Sequence, residues 1–203
     1  LIVGGGMTAD AAAAGIRELD PTGSIGLVSA EHDPPYKRPP LTKGLWKGEP
    51  LEEIWLGTAD KGVDLHLART ILKLDLAKKE TTDDLGTVYA FDKLLLATGG
   101  TPRELPFGKE GILYYRTAAD YRLLRDMASR GQKFAVIGGG FIGSDAAAAL
   151  AMNGKLVVMY FPDDAIGAAV HPRDLAGLLK TPFPTTVVDL PPARPIPLRD
   201  GRA

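Results

Sequence analysis

Two glycine turns are the residues of this sequence whose types and spacing most clearly suggest chemistry. Each turn follows an apolar run and precedes an alanine-rich run. In this pattern the first glycine permits a tight turn, the second lets the backbone approach a pyrophosphate, and a third small residue lets helix and strand pack closely. The pyrophosphate binds at the helix N-terminus, where free N–H groups and the helix dipole favour negative charge. The positions are Gly4, Gly6 and Ala9 in the first turn, and Gly138, Gly140 and Gly143 in the second.

An acidic residue follows each turn. Glu31 follows Gly6, and Asp163 follows Gly140, each at a separation near the roughly 20 residues expected of a carboxylate bonded to a ribose diol. Because no arginine or lysine occurs between Leu156 and Val170 to meet a 2′-phosphate, the second turn is predicted to prefer NADH to NADPH. Two glycine-rich turns without a ligand are the alternative, but that interpretation leaves both acids unexplained.

The segment PYKRPPLTKGLW, residues 35–46, gathers positive charge locally in a chain whose charges nearly balance, with 25 acidic and 24 basic residues. Arg38 offers a planar fork for phosphate oxygens, and Lys43 offers a compact charge. The prolines fix the backbone φ angle, so that the loop is ordered before an anion arrives. The segment is therefore predicted to bind an anion, with a basic surface turn as the alternative. The balanced charge gives no reason to expect a nucleic-acid partner.

The elements that must position these residues follow a strand–turn–helix–strand pattern over 1–31 and again over 134–164. The predicted fold class is α/β, with two Rossmann-like dinucleotide-binding units, both incomplete. Hydrophobic periodicity and turn residues predict the elements between them. These are strands at 62–67 and 70–75, a hairpin over 78–91 that turns near 83–86, a buried strand within 92–100, and an amphipathic helix over 117–131.

Composition excludes several kinds of site. Without cysteine there is no disulfide, thiolate metal site or cysteine nucleophile. His32, His66 and His171 share no ligand spacing and are predicted to be structural or surface residues, so no metal site is predicted. No apolar run reaches membrane-spanning length. The proline-rich stretch 180–203 is predicted to lack a fixed fold, and a proline-rich recognition peptide is the alternative.

Taken together, LIVGGGMTADAAAAGI, PPYKRPPLTKGLW, KLLLATGGTPR and VIGGGFIGSDAAAALA resemble the FAD- and NAD-dependent pyridine nucleotide oxidoreductases. Within them the sequence is most similar to ferredoxin and rubredoxin reductases and to apoptosis-inducing factor. The resemblance implies an FAD-binding segment over 1–110 and a partial NADH-binding domain over 111–179, inserted within the FAD unit. It stops near residue 179, and the chain begins in mid-strand, so we expect a truncated fragment that holds FAD weakly.

The resemblance also implies roles for further residues. Ile71 would touch adenine, and Thr98 and Gly99 would close over the FAD phosphates. Lys43 would place positive charge at the flavin, paired with Asp145, which stands where the family has a glutamate. Because aspartate is one methylene shorter, the pair is expected to be stretched or bridged by water. Phe141 would help to place the nicotinamide or would pack under the turn.

The implied activity is hydride transfer from NADH to flavin, followed by electron transfer to an acceptor. The absence of the cysteine pair of disulfide-reducing relatives favours a ferredoxin- or rubredoxin-type protein, a quinone or oxygen as that acceptor. Two alternatives remain open: a non-enzymatic NADH-sensing module like apoptosis-inducing factor, and a nonfunctional fragment. The expected location is the bacterial cytoplasm, or the mitochondrion in a eukaryote.

Overall fold

The computed structural model describes residues 1–106 and 111–161. These residues form two compact units, each considered by itself below. The first comprises Leu1–Leu41 and Gly48–Asp120, and the second comprises Thr42–Lys47 together with the described residues from Tyr121 onward. The helices are α1 (Met7–Leu19), α2 (Ala118–Arg130) and α3 (Phe141–Met152). The strands are β1 (Ile2–Val3), β2 (Ile25–Val28), β3 (Val63–His66), β4 (Ile71–Asp75), β5 (Glu80–Asp83), β6 (Val88–Ala90), β7 (Leu95–Leu96), β8 (Lys133–Ile137) and β9 (Leu156–Tyr160).

A parallel sheet carries the first glycine turn. Its strand order is β3-β2-β1-β7, and every neighbouring pair is parallel. The alanine-rich helix α1 connects β1 to β2 and packs on the sheet through Ala9 and Ala13, both 0% exposed. Their methyl groups meet the sheet side chains Ile2, Ile25, Leu27 and Val63. Small side chains on the buried face of α1 thus bring the helix N-terminus close to the end of β1.

Gly4 is the tightest point of this unit. Its φ of +120° is a conformation that side-chain-bearing residues rarely adopt. An added Cβ would lie 2.1 Å from the carbonyl oxygen of Ala97, directly after β7. The Gly4 N–H donates to the Val28 carbonyl at 2.8 Å, which joins the turn to the end of β2. The first turn therefore requires glycine for steric as well as conformational reasons.

The C-terminal end of α1 is held by Arg17. The guanidinium donates to the carbonyl oxygens of Lys61 at 2.7 Å, Gly62 at 2.8 Å and Gly23 at 2.6 Å. One side chain therefore binds the end of the helix to the segments that precede β2 and β3. This anchoring fixes the helix axis, and with it the direction of the helix N-terminus.

The first unit also contains a three-stranded antiparallel sheet, in the order β4-β5-β6. The predicted hairpin and its turn are confirmed between β5 and β6. Asp83 organises the turn, because its carboxylate accepts hydrogen bonds from the N–H groups of Thr87 at 2.7 Å and Leu85 at 3.0 Å. The Tyr89 hydroxyl donates to the same carboxylate at 2.9 Å. Burial by itself raises the pKa of Asp83, but these bonds outweigh it and hold the pKa below its ordinary value.

The second unit repeats the strand–turn–helix–strand pattern. Strands β8 and β9 are parallel and in continuous register from Lys133↔Leu156 to Ile137↔Tyr160. Helix α3 connects them, and Ala146, Ala147, Ala149 and Leu150 form its buried face. Helix α2 occupies the predicted position and ends at Gly131, whose N–H donates to the Met127 carbonyl at 2.7 Å. The predicted α/β class with two such units is therefore confirmed.

One expectation about a strand needs correction. The strand within 92–100 was expected to be buried, yet Leu95 is 38% and Leu96 60% exposed. The reason is position, since β7 is an edge strand of its sheet among the described residues. The segment 35–46, predicted to be an ordered loop, is consistent with that prediction, because it includes the 3₁₀ turn Pro39–Thr42 and most of the 3₁₀ turn Gly44–Lys47. Its apolar side chains explain this order, because Tyr36, Leu41, Leu45 and Trp46 are all buried.

Residues 162–203, which include the proline-rich stretch, lie outside the described residues. Among the helices that the structure describes, none is both long and apolar enough to cross a membrane.

We predict that Gly4→Ala lowers the free energy of unfolding by about 2–4 kcal/mol, because it combines a disfavoured φ with a clash against the Ala97 carbonyl. Gly15→Ala is the matched control, since Gly15 lies in α1 with open space around its Cβ position. That change should stabilise the protein by about 0.5–1 kcal/mol. Denaturant unfolding of both variants measures the difference, and equal effects would contradict the assigned roles.

The lowered pKa of Asp83 predicts an acid-sensitive hairpin. A carboxyl whose folded-state pKa lies below its unfolded value of about 3.9 contributes stability above that value, and the contribution is lost as the pH falls through the folded-state pKa. Asp83→Asn should therefore reduce the fall in melting temperature between about pH 7 and pH 3. Tyr89→Phe, which removes one bond to the carboxylate, should give an intermediate slope. An unchanged pH dependence in both variants would contradict the assignment.

Candidate dinucleotide-binding site

The first glycine turn ends at an uncapped helix. Gly6 is the N-cap of α1, and no side chain caps this end by a hydrogen bond. The Gly6 carbonyl accepts the N–H groups of Ala9 at 3.0 Å and Asp10 at 3.2 Å, so the earlier N–H groups of the first turn are left for another acceptor. A Cβ added to Gly6 would meet nothing within 4 Å. An anion can therefore approach the backbone at this point, as the diphosphate of a dinucleotide requires.

The second turn has the same construction. Gly140 is the N-cap of α3. Within residues 1–106 and 111–161, no side chain caps this helix and a Cβ at Gly140 would meet nothing within 4 Å. The third glycine is tight here, because a Cβ on Gly143 would lie 2.1 Å from the Gly138 carbonyl oxygen. Gly138 itself has a φ of +118°, close to that of Gly4. The second turn therefore fits a diphosphate on the same grounds as the first.

Helix α2 provides an internal contrast, because it begins with a complete capping box. The Thr117 hydroxyl accepts the Asp120 N–H at 3.2 Å, and the Asp120 carboxylate accepts the N–H groups of Thr117 at 2.7 Å and Arg116 at 2.9 Å. Such a cap satisfies backbone donors that would otherwise need a ligand or water. Among the three α-helices of the described residues, the one without a glycine turn is therefore capped by side chains, and the two with a glycine turn are not.

The predicted phosphate-covering residues lie beside the first turn. Thr98 and Gly99 follow β7, and the N atom of Thr98 lies 3.0 Å from the position of an added Gly4 Cβ. Gly99 has a φ of +66°, which turns the chain at this point. The structure thus brings Thr98 and Gly99 to the turn that begins at Gly4. Their contact with FAD phosphates stays a prediction.

A negative charge in α1 near the uncapped end is neutralised. Asp10 is only 9% exposed, and the Lys61 ammonium lies 2.7 Å from its carboxylate. The Thr58 hydroxyl donates to the same oxygen at 2.6 Å. An unpaired carboxylate here would repel a bound diphosphate, so the pairing makes the helix end a better anion site. The sequence analysis did not predict the contacts of Asp10 with Lys61 and Thr58. The available signal was an acidic residue within an alanine-rich helix.

Glu31 and Arg38, assigned separately to ribose and diphosphate, form an ion pair through Arg38 Nη2 and Glu31 Oε1. The Tyr36 hydroxyl donates to the other Glu31 oxygen, Oε2, at 2.5 Å. Arg38 Nη1 donates both to the Tyr36 hydroxyl and to the Arg116 carbonyl, each at 3.0 Å. Burial and the neighbouring Glu31 raise the pKa of Tyr36 well above its ordinary range, so the hydroxyl keeps its proton. We call Glu31, Tyr36 and Arg38 the acid–tyrosine–arginine cluster.

Within the second unit, Lys43 and Asp145 form a direct ion pair, with Nζ and Oδ2 3.2 Å apart. The shorter aspartate was expected to stretch this pair or to need a bridging water; the contact is direct, and its 3.2 Å separation is longer than the roughly 2.7–2.9 Å of a close charge-assisted bond, as the stretched alternative predicts. The Thr42 hydroxyl lies 3.3 Å from the same oxygen and donates to it. The 3₁₀ turns thus bring Thr42 and Lys43 within reach of the Asp145 carboxylate on α3. The catalytic roles of Lys43 and Asp145 stay predictions.

The structure says less about the roles of the three remaining predicted site residues, Ile71, Phe141 and Asp163. Ile71 is the first residue of β4 and is half-buried opposite Asp83. The residues shortly before Ile71 are bonded to the segment that carries Glu31. The Ala68 N–H donates to the Glu31 carbonyl at 3.0 Å, and the Arg69 N–H donates to the Ser29 carbonyl at 2.8 Å. Phe141 begins α3 and is 60% exposed. Asp163, the second predicted ribose acid, lies outside the described residues.

Sequence reasoning missed Tyr36 and Thr42 as site residues. Tyr36 is 1% exposed although it lies two residues before an arginine in a polar, proline-rich segment. A large aromatic in such a segment was the available signal. Thr42 precedes the predicted Lys43, but its contact with a residue more than one hundred positions away leaves no trace in the local pattern.

Comparison with known proteins supports the same grouping. The family model for pyridine nucleotide-disulphide oxidoreductases matches residues 1–180. The ferredoxin reductase subunit of a 5,5'-dehydrodivanillate O-demethylase from Sphingobium sp. (strain NBRC 103272 / SYK-6) is 34% identical over 89% of this chain and 46% of its own length. A putative mitochondrial apoptosis-inducing factor 1 from Drosophila melanogaster is 29% identical over 87% of this chain and 30% of its own length.

The fold also matches solved structures. The ferredoxin reductase for the CYP199A2 system from Rhodopseudomonas palustris superposes with a TM-score of 0.80 at 26% identity, over 88% of this chain and 46% of that one. The chain thus spans about half the length, or less, of the relatives that it matches. The resemblance inferred from the glycine turns and the proline–arginine segment is confirmed: this chain belongs to the pyridine nucleotide-disulphide oxidoreductase family.

Proposed function

We propose that this chain supplies FAD- and NADH-binding parts of an oxidoreductase that passes electrons from NADH through a bound flavin to an acceptor. The observation that carries the proposal is the pair of uncapped helix ends, each beginning at a glycine with open space at its Cβ position. Residues 1–110 form the FAD-binding segment in this proposal, and 111–179 form part of the NADH-binding domain. Family membership supports the pairing of the two nucleotides.

In this proposal the first turn holds the FAD diphosphate through the backbone around Gly4, Gly6 and Ala9. Thr98 and Gly99 cover the phosphates, Ile71 contacts the adenine, and the acid–tyrosine–arginine cluster contributes Glu31 for ribose. Arg38 has three N–H donors engaged among the described residues, which leaves up to two of its five for a phosphate. Lys61 keeps Asp10 paired, so that the helix end stays attractive to an anion.

The second turn holds NADH in the same way, through Gly138, Gly140 and Gly143. Phe141 stands directly after the N-cap glycine and helps to place the nicotinamide. Asp163 is proposed as the ribose acid, by analogy with Glu31. The preference for NADH over NADPH rests on the lack of basic residues between Leu156 and Val170.

The bound flavin supplies the redox chemistry, taking electrons from NADH and passing them on. The chain supplies charge and orientation. Lys43 holds a positive charge that favours electron density on the ring system, and Asp145 orients that ammonium from 3.2 Å away. The Thr42 hydroxyl restrains the carboxylate in turn. Because the pair is largely exposed, it contributes only about 0–1 kcal/mol to stability, and its proposed role is electrostatic.

A ferredoxin-type protein is the proposed acceptor. The Sphingobium relative is named a ferredoxin reductase subunit, and this chain has no cysteine to form the redox pair of disulfide-reducing enzymes. Rubredoxin, a quinone and oxygen are the other acceptors to test. The Drosophila relative, named a putative apoptosis-inducing factor 1, favours keeping a second candidate, the NADH-sensing module that the sequence analysis left open. Rapid reduction of an acceptor favours the enzyme, and slow flavin reduction with a long-lived charge-transfer band favours the sensor.

We predict that Gly6→Ala lowers the affinity for FAD at least tenfold, since a methyl group would occupy the open approach to the helix end, whereas the backbone φ of −91° accepts alanine. Gly15→Ala, the same change elsewhere in α1, should leave the affinity unchanged. Gly140→Ala should spare FAD binding and weaken NADH binding. Flavin absorbance after gel filtration and NADH titration measure the two effects. Full FAD affinity in the Gly6→Ala protein would overturn the assignment of the first turn.

We further predict that Lys43→Ala slows flavin reduction by NADH by about 10–100-fold, because a charge next to the reacting ring is lost. Lys47→Ala is the matched control, as it removes the lysine that ends the adjacent 3₁₀ turn, Gly44–Lys47. Anaerobic stopped-flow spectroscopy measures the rate, and thermal unfolding should differ little between the two variants. Equal rates for both variants would remove Lys43 from the mechanism.

A further inference from the structure

The Tyr36 hydroxyl uses its whole hydrogen-bonding capacity inside the protein. It donates to Glu31 Oε2 at 2.5 Å, and it accepts from Arg38 Nη1 at 3.0 Å and from the Ala118 N–H at 2.9 Å. A phenol has one donor and two acceptor sites, and all three are occupied. The hydroxyl therefore has no hydrogen-bonding site free for a ligand. Any effect that it has on ligand binding must act through Glu31, Arg38 or the Ala118 backbone.

The ring that carries this hydroxyl is itself fixed. Tyr36 is 1% exposed and packs edge-on against Trp55, with ring centroids 5.8 Å apart at an interplanar angle of 89°. Arg38 lies over the ring, with its guanidinium carbon 5.1 Å from the centroid. A buried aromatic side chain with few rotatable bonds is a rigid support for two longer and more flexible charged side chains.

The hydrogen bonds of Tyr36 and Arg38 restrain the Glu31 carboxylate but leave each of its oxygens able to accept a further hydrogen bond. Arg38 takes one carboxylate oxygen and Tyr36 takes the other, so the plane of the carboxylate is determined. Each oxygen of an ionised carboxylate has about two acceptor sites, and each therefore keeps one for a further donor. Because burial and Glu31 raise the pKa of Tyr36, the hydroxyl stays a donor at neutral and moderately basic pH.

The cluster is also anchored to the backbone. The Ala118 N–H that donates to Tyr36 belongs to the first residue of α2, and the Arg116 carbonyl accepts from Arg38. The Thr117–Asp120 capping box fixes the same short segment. The position of Glu31 is thus set by main-chain groups through Tyr36 and Arg38.

We propose that Tyr36 is a positioning residue that aims the Glu31 carboxylate at the adenosine ribose hydroxyls of the flavin dinucleotide. This inference rests on the proposed FAD site and extends it to a residue that does not touch the ligand. Loss of the hydroxyl frees Glu31 Oε2, removes one partner of Arg38 and leaves the Ala118 N–H unpaired. The preference for ribose over 2′-deoxyribose then falls by a larger factor than the overall affinity for FAD. The reason is that a freely rotating carboxylate bonds solvent as readily as it bonds the ribose diol.

The experiment compares Tyr36→Phe with the unaltered protein in binding FAD and an FAD analogue that carries 2′-deoxyadenosine. Flavin fluorescence quenching gives both dissociation constants. The unaltered protein should prefer FAD by about tenfold or more, and Tyr36→Phe should reduce this preference to about threefold or less. Tyr114→Phe is the control, since that hydroxyl accepts the Leu105 N–H at 2.8 Å within the same unit and should leave the preference intact.

A second measurement separates positioning from loss of stability. In a Glu31→Gln background, Tyr36→Phe should no longer alter the preference, because the two changes act on one interaction. All proteins compared, including the one with Tyr36 and Glu31 intact, carry Gly15→Ala, whose expected stabilisation offsets part of the cost of the unpaired Ala118 N–H. Retention of the full preference by Tyr36→Phe would overturn the inference, as would an unaltered protein that binds both flavins equally. Failure of the unaltered protein to bind FAD at all would overturn the proposed function and the inference with it.

Discussion

The close approach of the backbone at Gly4 is the constraint on which the first unit depends. A side chain there would lie 2.1 Å from the Ala97 carbonyl, so the end of β1, the turn after β7 and the start of α1 meet only because this position has no Cβ. The contact brings Thr98 and Gly99 to the helix end, and it follows from the parallel pairing of β1 with β7. The alanines of α1 have the same effect on the other face, where Ala9 and Ala13 let the helix lie directly on the sheet.

In the two glycine turns, the position at which a Cβ would collide with neighbouring backbone is different. In the first, the tight glycine is Gly4, and the third small residue can be Ala9, whose methyl group is fully buried without displacing the helix. In the second, the tight glycine is Gly143, which lies against the Gly138 carbonyl, and a Cβ at Gly138 would meet nothing within 4 Å. In each turn, therefore, a close backbone approach requires glycine at one position, and among the described contacts that position differs between the two turns.

Charges around the candidate sites are arranged in pairs, with different consequences. The Asp10–Lys61 pair is mostly buried and removes a repulsive charge from the helix end. In the acid–tyrosine–arginine cluster, pairing fixes the orientation of Glu31 and Arg38. Each of these two groups still has hydrogen-bonding sites available for a ligand. The Lys43–Asp145 pair is exposed, and exposed pairs contribute little to folding. Each of these pairs carries no net charge, so the attraction for an anion comes chiefly from the uncapped N-terminal ends of α1 and α3.

The amino-acid sequence by itself determined what depends on short spacings: the two strand–turn–helix–strand units, the hairpin, helix α2 and the family. These features arise from periodicity and turn chemistry within windows of ten to thirty residues, which a linear pattern records. Only the tertiary structure decided that Glu31 and Arg38 meet at Tyr36, that Asp10 is paired with Lys61, and that Thr42 and Lys43 reach Asp145. It also decided that β7 is an edge strand with exposed leucines. Such contacts join residues that are distant in the chain or lie in segments without periodicity, so strand order and packing fix them, and no local pattern does.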